Sequence, residues 1–150
     1  DTLVDFGCGL GRVLFYCNHQ YMCRVTGIEY DGEIYGKLCE NAEEYFKLFK
    51  NQERKFSLLK MKAEEYSIEP TDNYFYFFNP FAVEILDKVM ENILTSVKKK
   101  PREVTLILYY CTYEIMTALR KYPLTLEKVL KLPGYEEDPD EKAYIYKMNI

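Results

Sequence analysis

Tryptophan is absent from the 150 residues, histidine occurs once, and no long uninterrupted apolar run is present. A membrane-spanning helix needs about eighteen or more such residues in a row, so none is expected. No basic segment followed by an apolar one at the N-terminus marks an export signal. His19 and five cysteines without a C-x-x-C pair leave no metal site at usable ligand spacing. The cysteines, Cys8, Cys17, Cys23, Cys39 and Cys111, are odd in number and read as reduced thiols, so the expected location is the cytoplasm. An excess of positive charge is lacking too. Twenty Lys and Arg against twenty-four Asp and Glu leave a formal charge of −4, which gives no bulk attraction for polyphosphate and no strong nucleic-acid signal.

What is present is a globular composition, 48% apolar and 29% charged, with fifteen Tyr and nine Phe. The length suits one domain spanning 1–150, with one core and one site. Because the first residue is Asp1 and an apolar strand starts at once, the expected protein is longer, with an N-terminal segment preceding this core.

Thr2 to Phe6 is a short apolar run ending in a glycine turn, Gly7-Cys8-Gly9-Leu10-Gly11. The pattern predicts a helix over Arg12 to Asn18, a strand over Arg24 to Tyr30 and an amphipathic helix over Gly32 to Lys50. The last of these carries Ile34, Leu38, Ala42, Tyr45 and Phe49 on one face. Strands follow at Phe56 to Met61 and Tyr74 to Phe78, then a helix over Val83 to Lys98, a strand over Val104 to Tyr110 and a helix over Tyr113 to Lys121. Leu126 to Leu132 and Ala143 to Met148 read as an antiparallel pair around an acidic, turn-rich connection. Alternating apolar strands and helices predict an α/β, Rossmann-like doubly wound sheet of seven strands. It should be mostly parallel, with an antiparallel C-terminal pair and helices on both faces.

In such a sheet the ligand lies beyond the carboxyl ends of the strands, where strand order reverses, and the first glycine turn belongs there. A nicotinamide-type fingerprint, G-x-G-x-x-G, would need glycine at Arg12, so the dinucleotide reading is weakened. Glycines let backbone approach a ligand where a Cβ would collide. Glu29, at the tip of the second strand, can accept two hydrogen bonds from a ribose diol. A structural glycine turn with a solvated glutamate fits the same residues.

Asp5-Phe6-Gly7-Cys8-Gly9-Leu10-Gly11 with Glu29 resembles the cofactor-binding core of class I S-adenosylmethionine-dependent methyltransferases, and the order of elements is similar along nearly the whole chain. The resemblance implies S-adenosyl-L-methionine as the methyl donor, held by Asp5, Gly7, Cys8, Gly9 and Gly11 of the turn, Glu29 at the ribose and Tyr30 near the adenine. After the third strand many relatives carry an acid that meets the adenine amino group. Lys62 stands in that place here, with the backbone of Ala63 and the side chain of Glu64 as the remaining candidates.

Asn79-Pro80-Phe81, closing the fourth strand, is similar to the Asn-Pro-Pro-Tyr/Phe motif of methyltransferases that modify planar amino or amide nitrogens, with one proline fewer. The likeness implies that Asn79 accepts hydrogen bonds from the target N–H groups and that Phe81 stacks on the acceptor, so positioning supplies much of the rate. A proline-terminated strand with a capping Asn and a core Phe is the structural alternative. His19 reads as a surface residue in Asn18-His19-Gln20, a polar turn after the first helix, and Lys98 to Arg102 as a solvated basic end of a helix. Tyr109, Tyr110 and Tyr113 fit an acceptor pocket or plain packing equally well.

The expected activity is therefore methyl transfer to a nucleophile, with nitrogen favoured, on a protein, RNA or small-molecule acceptor that the sequence does not identify. The alternatives are a degenerate domain that binds the nucleoside or a partner without turnover and, less favoured, an NAD-dependent oxidoreductase.

Overall fold

The computed structural model describes residues 1–79 and 81–150. Its strands are β1 (Thr2–Phe6), β2 (Arg24–Glu29), β3 (Phe56–Lys60), β4 (Tyr74–Phe78), β5 (Val104–Tyr109), β6 (Leu124–Lys131) and β7 (Lys142–Met148). The helices are α1 (Arg12–Tyr21), α2 (Gly32–Leu48), α3 (Val83–Lys99) and α4 (Tyr113–Leu119), with 3-10 turns at Lys50–Lys55 and Ala63–Glu65. The strands form one sheet in the order β3-β2-β1-β4-β5-β7-β6. β7 runs antiparallel to both of its neighbours, and the other pairings are parallel. The Rossmann-like, mostly parallel seven-stranded sheet is thus the fold that the alternating pattern predicts. After β3 the chain returns to place β4 beside β1, so strand order reverses between β1 and β4, where such sheets open a crevice at their carboxyl ends.

Each face has its own apolar cluster. Val4, Phe6, Phe75, Phe77, Leu106 and Leu108 point toward α3 and α4, which add Leu86, Met90, Ile93 and Ile115. Leu3 and Val25 point toward α1 and α2, where Leu14 and Leu38 are fully buried. Period-2 alternation sends successive side chains to opposite faces, so a central strand covered on both sides reads as a continuous apolar run.

Several element ends differ from expectation by one to three residues, two of them for a visible reason. The first helix continues three residues past Asn18, because Asn18 is fully buried and its amide is satisfied there. The Asn18 side chain donates to the Cys23 carbonyl and to Gln52, and accepts from the Tyr45 hydroxyl at 2.7 Å. The expected polar turn at Asn18-His19-Gln20 is instead the last helical turn, closed by Met22 in a left-handed conformation. β6 starts two residues early because Leu124 pairs with Met148. Asp31 caps α2, its carboxylate accepting the Ile34 N–H at 2.9 Å.

α1 lies close on β2 because Gly27 has no side chain. A Cβ there would sit 2.4 Å from Leu14 Cδ1 and 2.9 Å from Cys8 Sγ, neither of which has room to retreat. Gly27→Ala is expected to lower stability by about 1–3 kcal/mol through overpacking, read from the midpoint of urea unfolding. An unchanged midpoint would mean that α1 can move off the sheet.

Candidate functional site

The loop after β1 is held by main-chain bonds. The N–H groups of Gly7 and Cys8 both donate to the Ile28 carbonyl, at 2.8 and 3.0 Å, and Gly11 donates to the Cys8 carbonyl before α1 begins. Gly7, Gly9 and Gly11 all have positive φ, at 76°, 56° and 90°, which explains the glycine at every second position. Glu29 ties this loop to the next one. Its Oε2 accepts the Gly9 N–H at 2.9 Å and its Oε1 accepts the Asp31 N–H at 3.2 Å. Each oxygen keeps a lone pair for a further donor.

Beside this carboxylate lies a cleft of about 380 Å³, lined by Gly7, Glu29, Tyr30, Lys62, Ala63 and Glu64 from the tips of β1, β2 and β3. That volume is in the usual range for small-ligand sites. Ile28, Met61, Phe81 and Ile85 complete the wall. Of these only Phe81 is a sequence-level candidate, since Ile28, Met61 and Ile85 look like ordinary core residues in the sequence. The Lys62 ammonium lies 5.5 Å from the centre of the exposed Tyr30 ring, within the range of a cation–π contact.

Asp5, Cys8, Gly9 and Gly11 do not line the cleft; they build the loop beneath it. Cys8 contributes main-chain bonds, while its thiol packs with Leu14 and Leu38. Burial pushes that thiol well above its ordinary pKa, so it is no activated nucleophile. Asp5 is almost wholly buried, and no hydrogen bond from the described residues reaches its carboxyl group. Burial first, and the nearby Glu29 charge second, raise its pKa to about 7.

The strand-4 motif is divided between two places. Asn79 is exposed, left-handed at φ 43°, and donates its N–H to the Tyr109 carbonyl at 2.9 Å. Pro80 lies outside the described residues. Phe81 turns back into the cleft: its ring lies 3.6 Å from where a Cβ on Gly7 would stand and meets Phe77 edge-on. The exposed ring next to Asn79 is that of Phe78, which is 54% exposed at the end of a central strand and packs against Tyr109 at a tilt of 35°, with ring centres 5.0 Å apart. The continuous aromatic run Tyr74 to Phe78 hides this residue from a sequence reading, although alternation places it on the same face as Tyr74 and Tyr76.

The remaining candidates fall elsewhere. The His19 ring packs on Phe49 at 5.0 Å, away from the cleft. Arg102 is no anion site, because its guanidinium donates to the carbonyls of Asp72, Glu69 and Lys100. The hydroxyls of Tyr109 and Tyr110 donate to Glu141 and Asp138 of the β6–β7 connection, at 2.5 and 2.6 Å. Among the described residues no group of His, Cys, Asp and Glu could hold a metal, and no helix is long and apolar enough to cross a membrane.

No protein-family model matches the chain, and no curated protein matches its sequence. Solved structures do match. The PH0226 protein from Pyrococcus horikoshii is 15% identical with a TM-score of 0.71, over 99% of this chain and 82% of that one. The methyltransferase domain of bacterial CtHen1 is 12% identical with a TM-score of 0.72, over 99% and 90%. The N-terminal domain of human METTL16, solved in complex with SAH, is 14% identical with a TM-score of 0.65, over 97% and 60%. At these identities the likeness concerns the backbone alone, and a shared fold does not by itself carry a shared chemistry. The chain therefore has the Rossmann-like fold found in class I methyltransferase structures.

Proposed function

We propose that this chain is an S-adenosylmethionine-dependent methyltransferase, with nitrogen as the favoured target atom. The observation that carries this reading is Glu29, fixed by the Gly9 and Asp31 N–H groups at the mouth of the cleft with one acceptor position left on each oxygen. A vicinal ribose diol offers two donors at matching separation. The donor set fits in other respects. Gly7 leaves a bare backbone at the cleft floor, Tyr30 offers an exposed ring for a nucleobase, and a Cβ on Gly9 would meet nothing within 4 Å.

When bound, the donor supplies an activated methyl group: a nitrogen–carbon bond forms as the sulfur–carbon bond breaks, the sulfonium becomes a neutral thioether, and the nitrogen proton passes to solvent. The chain's task is then binding, orientation and electrostatics. Asp5, beneath the glycine loop, is placed to favour positive charge above it. Asn79 is the side chain offered to the acceptor's N–H groups. The acceptor, whether protein, RNA or small molecule, is left open by this reading, and the five free thiols suit the reducing cytoplasm. A second reading, a domain that binds without turnover, is favoured by Phe81, whose ring occupies the Gly7 end of the cleft.

Calorimetric titration with S-adenosylhomocysteine tests the donor site. Micromolar binding is expected, weakened at least tenfold, or about 1.4 kcal/mol, in Glu29→Ala; equal affinity in that variant would remove Glu29 from the ribose site. Asn79→Ala is expected to keep donor affinity within twofold while slowing methyl transfer, and loss of donor binding would assign Asn79 to the donor site instead. Asp5 gives a prediction from pH. Its pKa is raised from 3.8 unfolded to about 7 folded, so its contribution to stability is present below pH 4 and lost as pH rises toward 7. Asp5→Asn should therefore be more stable than wild type at pH 8, by about 2–4 kcal/mol, with the gap closing toward pH 4 in urea unfolding. A gap that does not change with pH would contradict the raised pKa.

A further inference from the structure

The tips of β4 and β5 carry a second set of aromatic groups that the donor site does not use, Phe78 exposed and Tyr109 and Tyr110 half-buried. Phe6 pairs with Phe77 across β1 and β4, so Phe78 stands level with Gly7, one strand spacing of about 5 Å away. Phe78 pairs in turn with Tyr109 on β5, about 10 Å from the glycine loop. The Phe78 ring packs at a tilt against Tyr109 and lies 6.4 Å from Tyr110, while Tyr109 and Tyr110 meet edge to face. Asn79 sits at the inner end of this shelf. Tyr110 is left-handed at φ 58°, an uncommon conformation for a bulky residue.

Charge specifies what the shelf can hold. Glu141 and Asp138 lie along its outer edge, each holding one tyrosine hydroxyl. Asp138 uses its other oxygen on the Asp140 N–H, whereas Glu141 Oε1 has no hydrogen-bond partner among the described residues. Neither carboxylate forms an ion pair among the described residues. The neighbouring cation, Lys142, is turned away: alternation along β7 puts it on the face opposite Tyr109, where its ammonium lies over the rings of Tyr135 and Tyr144. Aromatic rings open to solvent, largely at Phe78 and in part at Tyr109 and Tyr110, beside two carboxylates attract a cation by charge and by the ring quadrupole, and the carboxylates repel phosphate.

We propose that Phe78, Tyr109 and Tyr110, edged by Glu141 and Asp138, form the acceptor subsite and that it binds a cationic amine or guanidinium group of the molecule to be methylated, the target nitrogen losing a proton to solvent before it attacks the methyl group. This rests on the methyltransferase reading and deepens it. It also moves the stacking surface from Phe81, which the structure places in the donor cleft, to Phe78. A free amine and an Arg or Lys side chain of a protein offer the same chemistry.

The test uses the full chain saturated with S-adenosylhomocysteine and titrated with agmatine, with a short arginine-containing peptide and with a single-stranded oligonucleotide. Salt-sensitive binding of agmatine or the peptide is expected, with the oligonucleotide inert. A peptide that binds at least tenfold more tightly than agmatine assigns a protein acceptor, and the reverse assigns a small amine. Glu141→Gln and Phe78→Leu should each weaken the cation at least fivefold while leaving S-adenosylhomocysteine affinity within twofold. Tyr109→Phe keeps the ring and the charge but loses the bond that anchors Glu141, so it should weaken the cation by less than Glu141→Gln does, and donor affinity within twofold of wild type in every variant separates loss of the site from loss of folding. Tight donor binding with no cation binding, cation binding indifferent to both weakening variants, or preference for the oligonucleotide would each overturn the subsite. Failure of S-adenosylhomocysteine to bind overturns the donor reading instead.

Discussion

Glu29 stands where two loops need an acceptor and no regular secondary structure supplies one. The N–H of Gly9 belongs to a turn whose glycines all have positive φ, and the N–H of Asp31 precedes the first turn of α2. One carboxylate satisfies both. The glycine loop, already held by its main-chain bonds, is therefore tied to the entry of α2 at the rim of the cleft by a single side chain. Substituting it would leave two backbone donors to find water, a cost on the order of 1 kcal/mol each even before any ligand is considered. The same charge acts downward on Asp5, whose carboxyl group already resists ionisation through burial. An acid held back from ionisation beneath a loop whose glycines all have positive φ is an arrangement that a stable core alone does not require. Perturbed acids of this kind concentrate at functional sites.

The packing of the sheet explains why this position can be held. On the α3 and α4 side, Phe6 stacks on both Phe75 and Phe77, its ring nearly parallel to that of Phe77 with centres 5.2 Å apart. That aromatic layer fixes β1 against β4, and so fixes the distance between the glycine loop and Asn79. On the other face α1 and α2 cover β1 to β3, whereas Tyr74, Tyr76, Ile107 and Tyr109 on β4 and β5 remain only half-buried. The tips of the first three strands are consequently rigid and the rims of the next two are open. Rigid scaffold beneath and exposed side chains above is the usual division between what positions a ligand and what selects one.

Legibility in the sequence followed the same division. The strands and their class could be read because apolar runs covered on both faces are unmistakable, and the glycine spacing located the loop because only that backbone demands glycine at Gly7, Gly9 and Gly11. The end of α1 could not be read, since Asn18 looks like a turn residue until Tyr45, Cys23 and Gln52 are seen to satisfy it. Phe78 and Phe81 were harder still. Both are phenylalanines at a strand end, and which one faces solvent depends on the left-handed turn at Asn79. Glu141 and Asp138 lie some thirty residues from the tyrosines they hold, as the separations of their hydrogen bonds show. Nothing local in an acidic connection signals such a contact.

The charge of the chain is therefore more informative in its placement than in its sum. A formal value of −4 argues only against a polyanionic partner. Asp5 and Glu29 at one end of the site, and Glu141 and Asp138 at the other, make the carboxyl edge of the sheet favourable to positive charge on both sides of Asn79. Lys142 is turned away over Tyr135 and Tyr144, whereas Lys62, over Tyr30, places a cation on the wall of the donor cleft. A sulfonium donor is cationic, and a cationic acceptor would ordinarily be repelled by it. Carboxylates set on both sides of the meeting point offset that repulsion, by an amount that grows as water is excluded from between them. On this account the tyrosine hydroxyls that hold Glu141 and Asp138 matter chiefly as anchors: they keep two flexible carboxylates at the rim, where a mobile side chain would give most of its attraction up to solvent.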